Sequence, residues 1–417
     1  AQAVGYLQRL VSNYPNSRYI PEAHLALGEF FFEQQMTGAA RDNYAKVLEH
    51  KNYQNYDYAL YKQGWVFYNM GEWRDSVDTF KDVVARTKES VGFNNQAIND
   101  LVVAFAQLDE GWKEARAYFM ETKDKDFTYD KIGQMAILLE SQGKEDQSIE
   151  IYEWFLKERP NHRRAPDWMH SIVASQKKME NLPQLEATMN RFVAYLHPDG
   201  TWFTHNHDQE GPVSNANLLV EASLAFLANH YHRQAQRQDD RGDYTKATGY
   251  YQEFIDRFPD NPASFDMNFF LGEIYLHALN DFEKAARQYQ HVVDLYKNDN
   301  VPDGAKKEDV ESIVRDSSFA VVTSYNELVK QNHPDSILVE MAEREEKNPG
   351  GAAAAAREAG PVTEQPPIPR TDLLQYELGF VRASDQFSEM YPKEDITPTV
   401  DFVAAEVYKA RGHYDSC

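Results

Sequence analysis

Histidine is the one chemistry-bearing residue that clusters in this sequence. Seven of its thirteen copies fall between residues 162 and 232: His162, His170, His197, His205, His207, His230 and His232. His205 and His207 flank Asn206, and Asp208 follows. On an extended loop alternate side chains face one way, so both imidazoles would reach one metal ion, with Asp208 or His197 as a further ligand. A short His-x-His pair is weak evidence, and the simpler reading is a polar loop that happens to hold histidines. No phosphate-binding GxxxxGK loop occurs, nor HExxH, GxSxG or CxxC. Carboxylates are abundant but scatter among lysines and arginines, as on a solvated helix surface. The reading is therefore non-catalytic and calls for no cofactor.

Aromatic and acidic residues at helical spacing form a second group. Its best-marked stretch is DYALYKQGWVFYNMGEWRDSVDTFKDV, residues 57–83. Two amphipathic helices can be read there, joined by a turn at Met70-Gly71. Gly64 sits where only a tiny side chain fits. Phe67 lies one turn on, Ser76 twelve residues after Gly64, and Phe80 four after that. Small residues let paired helices approach, and aromatics fill the space between them.

The same spacing recurs at Gly28, Phe31, Ala40, Tyr44 and Val47. It recurs at Ala136, Gly143, Ser148 and Tyr152, and at Ala235, Gly242, Ala247 and Tyr251. At Gly272, Tyr275, Ala285 and Tyr289 the glycine-to-alanine step is thirteen residues, which predicts one extra residue in the turn. A unit at Val103, Ala115 and Phe119 lacks a glycine, and one over 165–196 keeps only Leu185 and Phe192. Glu308 to Lys330 reads as one more helix. Ala383 and Phe387 keep the second-helix spacing, and Ala405, Tyr408 and Gly412 the first-helix spacing.

These units resemble tetratricopeptide repeats, helix–turn–helix modules of 34 residues. The resemblance implies an all-α superhelical solenoid with a groove lined by four positions of each first helix. Those positions hold Glu22, Leu25, Glu29 and Phe32, then Tyr58, Tyr61, Trp65 and Tyr68, and later Asp266, Phe269, Glu273 and Leu276. Aromatic and acidic walls suit a partner segment with apolar anchors and basic flanks. The same rings would serve equally to pack neighbouring repeats. The lysine and asparagine set that clamps a terminal carboxylate in some relatives is missing, which disfavours chaperone-tail binding.

The expected organisation is a repeat array over 1–197 that begins mid-repeat, from the half-motif Ala3, Leu7, Leu10, Pro15. An inserted loop over 198–217 follows, then a second array over 218–347. A proline-, glycine- and alanine-rich linker over 348–370 leads to further repeat helices over 371–417. The last unit stops mid-repeat, so the natural protein is expected to continue past Cys417. The net charge of -23 argues against nucleic acid and anionic membrane surfaces as partners. No run of 18 apolar residues exists, so no transmembrane segment is expected. The single cysteine allows no internal disulfide and leaves the compartment open.

A narrower resemblance rests on LALGEFFFEQ (25–34) with YALYKQGWVFYNMGEW (58–73), NHYHRQAQRQDDRGDYTKATGYYQEFIDRFP (229–259), FFLGEIYLHALNDFEKAARQYQHVV (269–293) and PTVDFVAAEVYKARGHYDS (398–416). Together they are similar to the large tetratricopeptide proteins of deltaproteobacterial cell envelopes, such as the adventurous-gliding-motility lipoprotein family. That resemblance implies a scaffold in the periplasm or cell envelope, tethered to the outer membrane and holding envelope-complex proteins. Two alternatives stay open: a cytosolic adaptor, or the substrate-selecting region of an enzyme whose catalytic domain lies outside this chain.

Overall fold

Three glycines set the distance between paired helices. The computed structural model describes residues 2–299, 301, 306–347 and 368–415. A Cβ added at Gly28 would lie 2.9 Å from the Tyr44 ring, at Gly64 3.0 Å from Phe80, and at Gly272 2.9 Å from Tyr289. All three rings are fully buried. The Ser76 hydroxyl donates to the Gly64 carbonyl at 2.9 Å, so the small residue of the second helix also closes a bond across the pair.

Twenty α-helices follow one another among the described residues. They are α1 (Gln2–Asn13), α2 (Ile20–Glu33), α3 (Thr37–Leu48), α4 (Tyr56–Met70), α5 (Trp73–Arg86), α6 (Val91–Phe105), α7 (Gly111–Thr122), α8 (Lys125–Ser141), α9 (Glu145–Glu158) and α10 (Ala165–Lys178). Then come α11 (Leu182–Tyr195), α12 (Thr201–Asn206), α13 (Glu210–Gln238), α14 (Arg241–Arg257), α15 (Pro262–Glu273), α16 (Phe282–Lys297), α17 (Lys307–Asn332), α18 (Ile337–Lys347), α19 (Gln375–Met390) and α20 (Thr397–Ala410). They form two compact units, Ala1–Leu219 and Val220–Cys417.

In the first unit, even-numbered helices from α2 to α10 are the first helices of hairpins and odd-numbered ones the second. Most of the hairpin turns hold one left-handed residue. Glycine supplies it at Gly71 and Gly143, whereas Gln35, Glu110 and Glu180 supply it elsewhere. A side chain at that backbone angle costs of order 1–2 kcal/mol, which tertiary packing outweighs. That is why the units without a turn glycine still close. Successive second helices are tied by ion pairs: Arg41 to Glu72 at 3.8 Å, Arg74 to Glu114 at 2.6 Å, Lys113 to Glu150 at 3.3 Å, and Arg191 to Glu153. Such exposed pairs contribute little each and act mainly on register.

Residues 198–217 are not the loop their composition suggests. They hold α12 and the start of α13. Trp202 is fully buried, and its indole donates to the His162 carbonyl at 2.9 Å. The Asn206 amide donates to the Asn161 and Trp202 carbonyls. Burial of these two side chains overrides the local turn preference. Pro212 is accommodated because it falls in the first turn of α13, where its missing N–H would have no partner.

In the second unit the extra residue after Gly272 is not in the turn. The helix widens into a π-turn over Ile274–Leu279 and ends at Asn280, which is left-handed. Gly272 thereby keeps its seat on Tyr289, and the surplus residue is absorbed beyond it. The helix expected over 308–330 is present as α17. Gly379 of α19 meets the Tyr325 ring of α17, leaving no room for a Cβ.

The buried Glu377 carboxylate joins three elements of the second unit. It accepts from the Arg411 guanidinium at 2.9 and 3.0 Å, the Ser336 hydroxyl at 2.5 Å and the Leu374 N–H at 3.0 Å. Most of the expected linker, and Cys417, lie outside the described residues. The linker's last three residues, 368–370, pair back on the end of the chain: the Ile368 N–H donates to the Tyr414 hydroxyl at 2.9 Å.

Candidate functional site

Glu22, Leu25, Glu29 and Phe32 lie on α2, and Tyr58, Tyr61, Trp65 and Tyr68 on α4, neighbouring first helices of the first unit. The Tyr58 hydroxyl donates to the Glu29 carboxylate at 2.7 Å, and the Lys62 ammonium sits 4.3 Å from the centre of the Phe32 ring. Tyr58 remains 38% exposed. Burial first, then the Glu29 carboxylate, pushes its hydroxyl up to about 12. Glu22 is exposed in the first turn of α2.

Tyr61 is placed differently. It is buried, edge-on to Phe80 and Phe93, and its hydroxyl donates to Asp100 at 2.7 Å while accepting from the Gln96 amide at 2.8 Å. Burial pushes the Tyr61 hydroxyl up to about 12 and lifts the Asp100 carboxyl above its usual range. Trp65 is half-buried, edge-on to Tyr68 and Phe80. Tyr68 accepts from the Gln107 amide at 3.2 Å. Tyr61 therefore binds repeat to repeat, and so does Leu25, which packs in a core with Ala59 and Val66 of α4. Glu22, Glu29, Phe32, Tyr58, Lys62 and Tyr68 leave an aromatic and charged surface accessible.

On α15 and the π-turn that continues it the four positions divide in the same way. Asp266 faces out, its carboxyl raised by partial desolvation and by the facing Asp309. Phe269 packs edge-on to Tyr289, and Leu276 is buried. Glu273 accepts from the Tyr289 hydroxyl and stands 3.9 Å from the His277 ring. The spacing did not point to Phe270, which is 38% exposed beside His232 and Tyr251. The His232 ring pairs with the Tyr251 hydroxyl at 3.1 Å, and burial holds its imidazole below the usual range.

The structure does not set the histidine pair on one extended face. His205 lies in the last turn of α12 and His207 directly follows the helix, so helical rotation, not an extended alternation, separates them. The His205 ring pairs with the Thr201 carbonyl at 2.7 Å and the His207 ring with the Thr204 carbonyl at 3.2 Å. Among the described residues no three His, Cys, Asp or Glu side chains, Asp208 and His197 included, gather around a common point for a metal.

A cleft between α8 and the turn into α10 also escaped the sequence reading. Its one signal was Ile137, apolar at a groove position and 58% exposed.

Two models, each described as a tetratricopeptide repeat, match the chain, one over residues 232–300 and the other over 1–17 and 58–87. No curated protein matches it. Among solved structures, the TPR2AB domain of yeast Sti1 in a pHSP90 complex is 15% identical, with a TM-score of 0.24, covering 72% of this chain and 100% of that one. The apo quorum sensor NprR of B. thuringiensis is 10% identical, with a TM-score of 0.26, covering 97% and 93%. The C-terminal part of a repeat protein from Cytophaga hutchinsonii is 16% identical, with a TM-score of 0.23, covering 68% and 97%. Likenesses of this size carry no inference about partners. The matched segments contain the Gly64–Phe80 and Gly272–Tyr289 contacts, so over them the paired helices of this all-α fold are packed as in tetratricopeptide repeats.

Proposed function

We propose that this chain is a non-catalytic scaffold that holds protein partners along its first-helix faces within a bacterial cell-envelope complex. The observation that carries the binding role is the accessible surface of Glu29, Phe32, Tyr58, Lys62 and Tyr68. Its rings offer apolar contact area at low entropic cost, and its carboxylates favour basic flanks on the partner. The four sequence stretches similar to envelope tetratricopeptide proteins support a periplasmic, outer-membrane-tethered setting and a part in gliding machinery. No helix of the described residues is long and apolar enough to cross a membrane.

Crosslinking mass spectrometry on the native protein in its own cells tests both parts. Crosslinks from α2 and α4 to envelope proteins are expected, and Glu29→Lys with Tyr58→Ala should deplete them. Crosslinks confined to cytosolic proteins would favour an adaptor and end the envelope reading. Crosslinks to a catalytic domain of the same protein would favour a substrate-selecting role.

A further inference from the structure

Farther along the first unit three arginines gather beside a first helix. The cleft between α8 and the turn into α10 has a volume of about 340 Å³. Tyr129, Tyr152, Phe155 and Trp168 form its aromatic floor, and Ile137 stands exposed at its edge. Gly133 has no side chain to cover Phe155, whose ring lies 3.7 Å from where a Cβ would be. Three arginines from the turn, Arg159, Arg163 and Arg164, stand around this floor.

Their existing engagements leave donors over. Arg159 donates to Asp126 at 2.6 Å and lies 3.6 Å from the Tyr129 ring centre. Arg164 is 3.8 Å from Asp167. Arg163 is exposed and has no ion-pair partner among the described residues. The remaining carboxylate of the lining, Asp130, already accepts from Gln134 at 2.8 Å and has Lys131 at 3.8 Å. His162 stacks on Trp168 with ring centres 4.9 Å apart. Burial lowers its basicity, and the three arginines act in the same direction against the opposing Asp126 carboxylate.

We propose that this cleft receives an acidic side chain of a partner-protein segment together with a neighbouring aromatic or large aliphatic side chain. The apolar group covers the aromatic floor, and the carboxylate meets Arg163 and the open side of Arg164. Guanidinium groups suit this role because their planar donor fork matches a carboxylate. The chain's net charge of -23 opposes an acidic partner only at long range. The screening length is about 8 Å at physiological salt, so the nearby arginines decide. This inference rests on the reading of the first-helix face as a partner-binding surface and gives that surface a direction: basic flanks of the partner toward α2 and α4, acidic ones toward α8 and α10.

The test uses the whole chain, immobilised, and three pooled octapeptide libraries. Each alternates Phe or Leu with a second class: Asp and Glu, Asn and Gln, or Lys and Arg. At about 0.15 M salt the acidic pool should be retained about tenfold over the amide pool. Arg163→Glu should abolish that excess and leave retention of the basic pool and the circular dichroism spectrum unchanged. Arg163→Gln should give a smaller loss. An acidic excess that survives Arg163→Glu, or no excess at all, overturns the proposal. Retention of the basic pool alone would spare the scaffold reading and end this one, and retention of no pool would end both. A fourth pool, with phosphoserine as its second class, held more than about tenfold tighter than the acidic pool would make phosphate the ligand and overturn the carboxylate assignment.

Discussion

A methyl group added at Gly28 and one added at Gly249 should act in opposite directions. At Gly28 the new carbon meets the Tyr44 ring at 2.9 Å, and that ring is locked in a core with Leu25, Ala40, Val47, Ala59 and Val66. Overpacking there costs about 1–3 kcal/mol, against a helix-propensity gain of about 1 kcal/mol. Gly249 is exposed within α14 and has open space around it. Gly249→Ala should therefore gain about 1 kcal/mol, and Gly28→Ala should show a net loss. Urea unfolding followed by circular dichroism reads both, and two changes of the same sign would contradict the packing argument. The rings themselves were legible from spacing, but the fate of their hydroxyls was not. Tyr44, Tyr251 and Tyr289 occupy one motif position. The Tyr289 hydroxyl reaches Glu273, and that of Tyr251 reaches His232, whereas the Tyr44 hydroxyl is buried with no hydrogen-bond partner among the described residues. Those partners come from the first helix of the same hairpin, at two different separations, 16 residues for Glu273 and 19 for His232, so the spacing alone does not select them.

Two elements depart from the repeat rule, and each has a measurable consequence. The π-turn of α15 absorbs one residue, so removing one from it should restore a regular helix and keep Gly272 on Tyr289. Deleting the exposed His277 is expected to preserve helicity and to change stability by no more than about 1 kcal/mol, read by thermal unfolding. Complete loss of the fold would mean that the π-turn is required in its own right. The Glu377 knot is the other case. Burial alone would raise its pKa, but the bonds from Arg411, Ser336 and the Leu374 N–H outweigh that and hold the carboxyl below the usual range. A folded-state value below the unfolded one stabilises at neutral pH. That contribution is present above the ordinary glutamate range and is lost as pH falls through the folded value. Arg411→Ala leaves the carboxylate buried and unpaired, and should cost about 3 kcal/mol at neutral pH. Hydrogen exchange of α19 and α20 should show the deficit, and the difference from wild type should shrink in acid. A deficit unchanged by acid would sever the link to Glu377.

At the scale of the whole molecule, repeats couple chiefly to their nearest neighbours. Gly28→Ala should therefore speed hydrogen exchange in α1 to α4 and leave α15 to α17 as in the wild type. Equal loss of protection in both regions would show one cooperative block instead. The helical class and the hairpin pairing could be read from the chain because close approach demands a glycine opposite a ring at a fixed separation, as at Gly28, Gly64 and Gly272. The four groove positions could be named for the same reason, since they follow from repeat register. Whether a ring at such a position faces outward, as Tyr58 does, or locks two repeats together, as Tyr61 does, depends on Asp100, Gln96 and Phe93 of the next first helix. Periodicity along one helix carries no record of its neighbour's side chains. Composition likewise marked 198–217 as a loop, yet burial of Trp202 against the turn at His162 makes it helical. The sequence by itself determined the repeat and its spacing, because they are local steric requirements. Only the tertiary structure decided which polar groups meet, where the extra residue goes, and that Arg159, Arg163 and Arg164 gather beside an aromatic floor, because each of these is settled by contacts between helices and not by spacing along one helix.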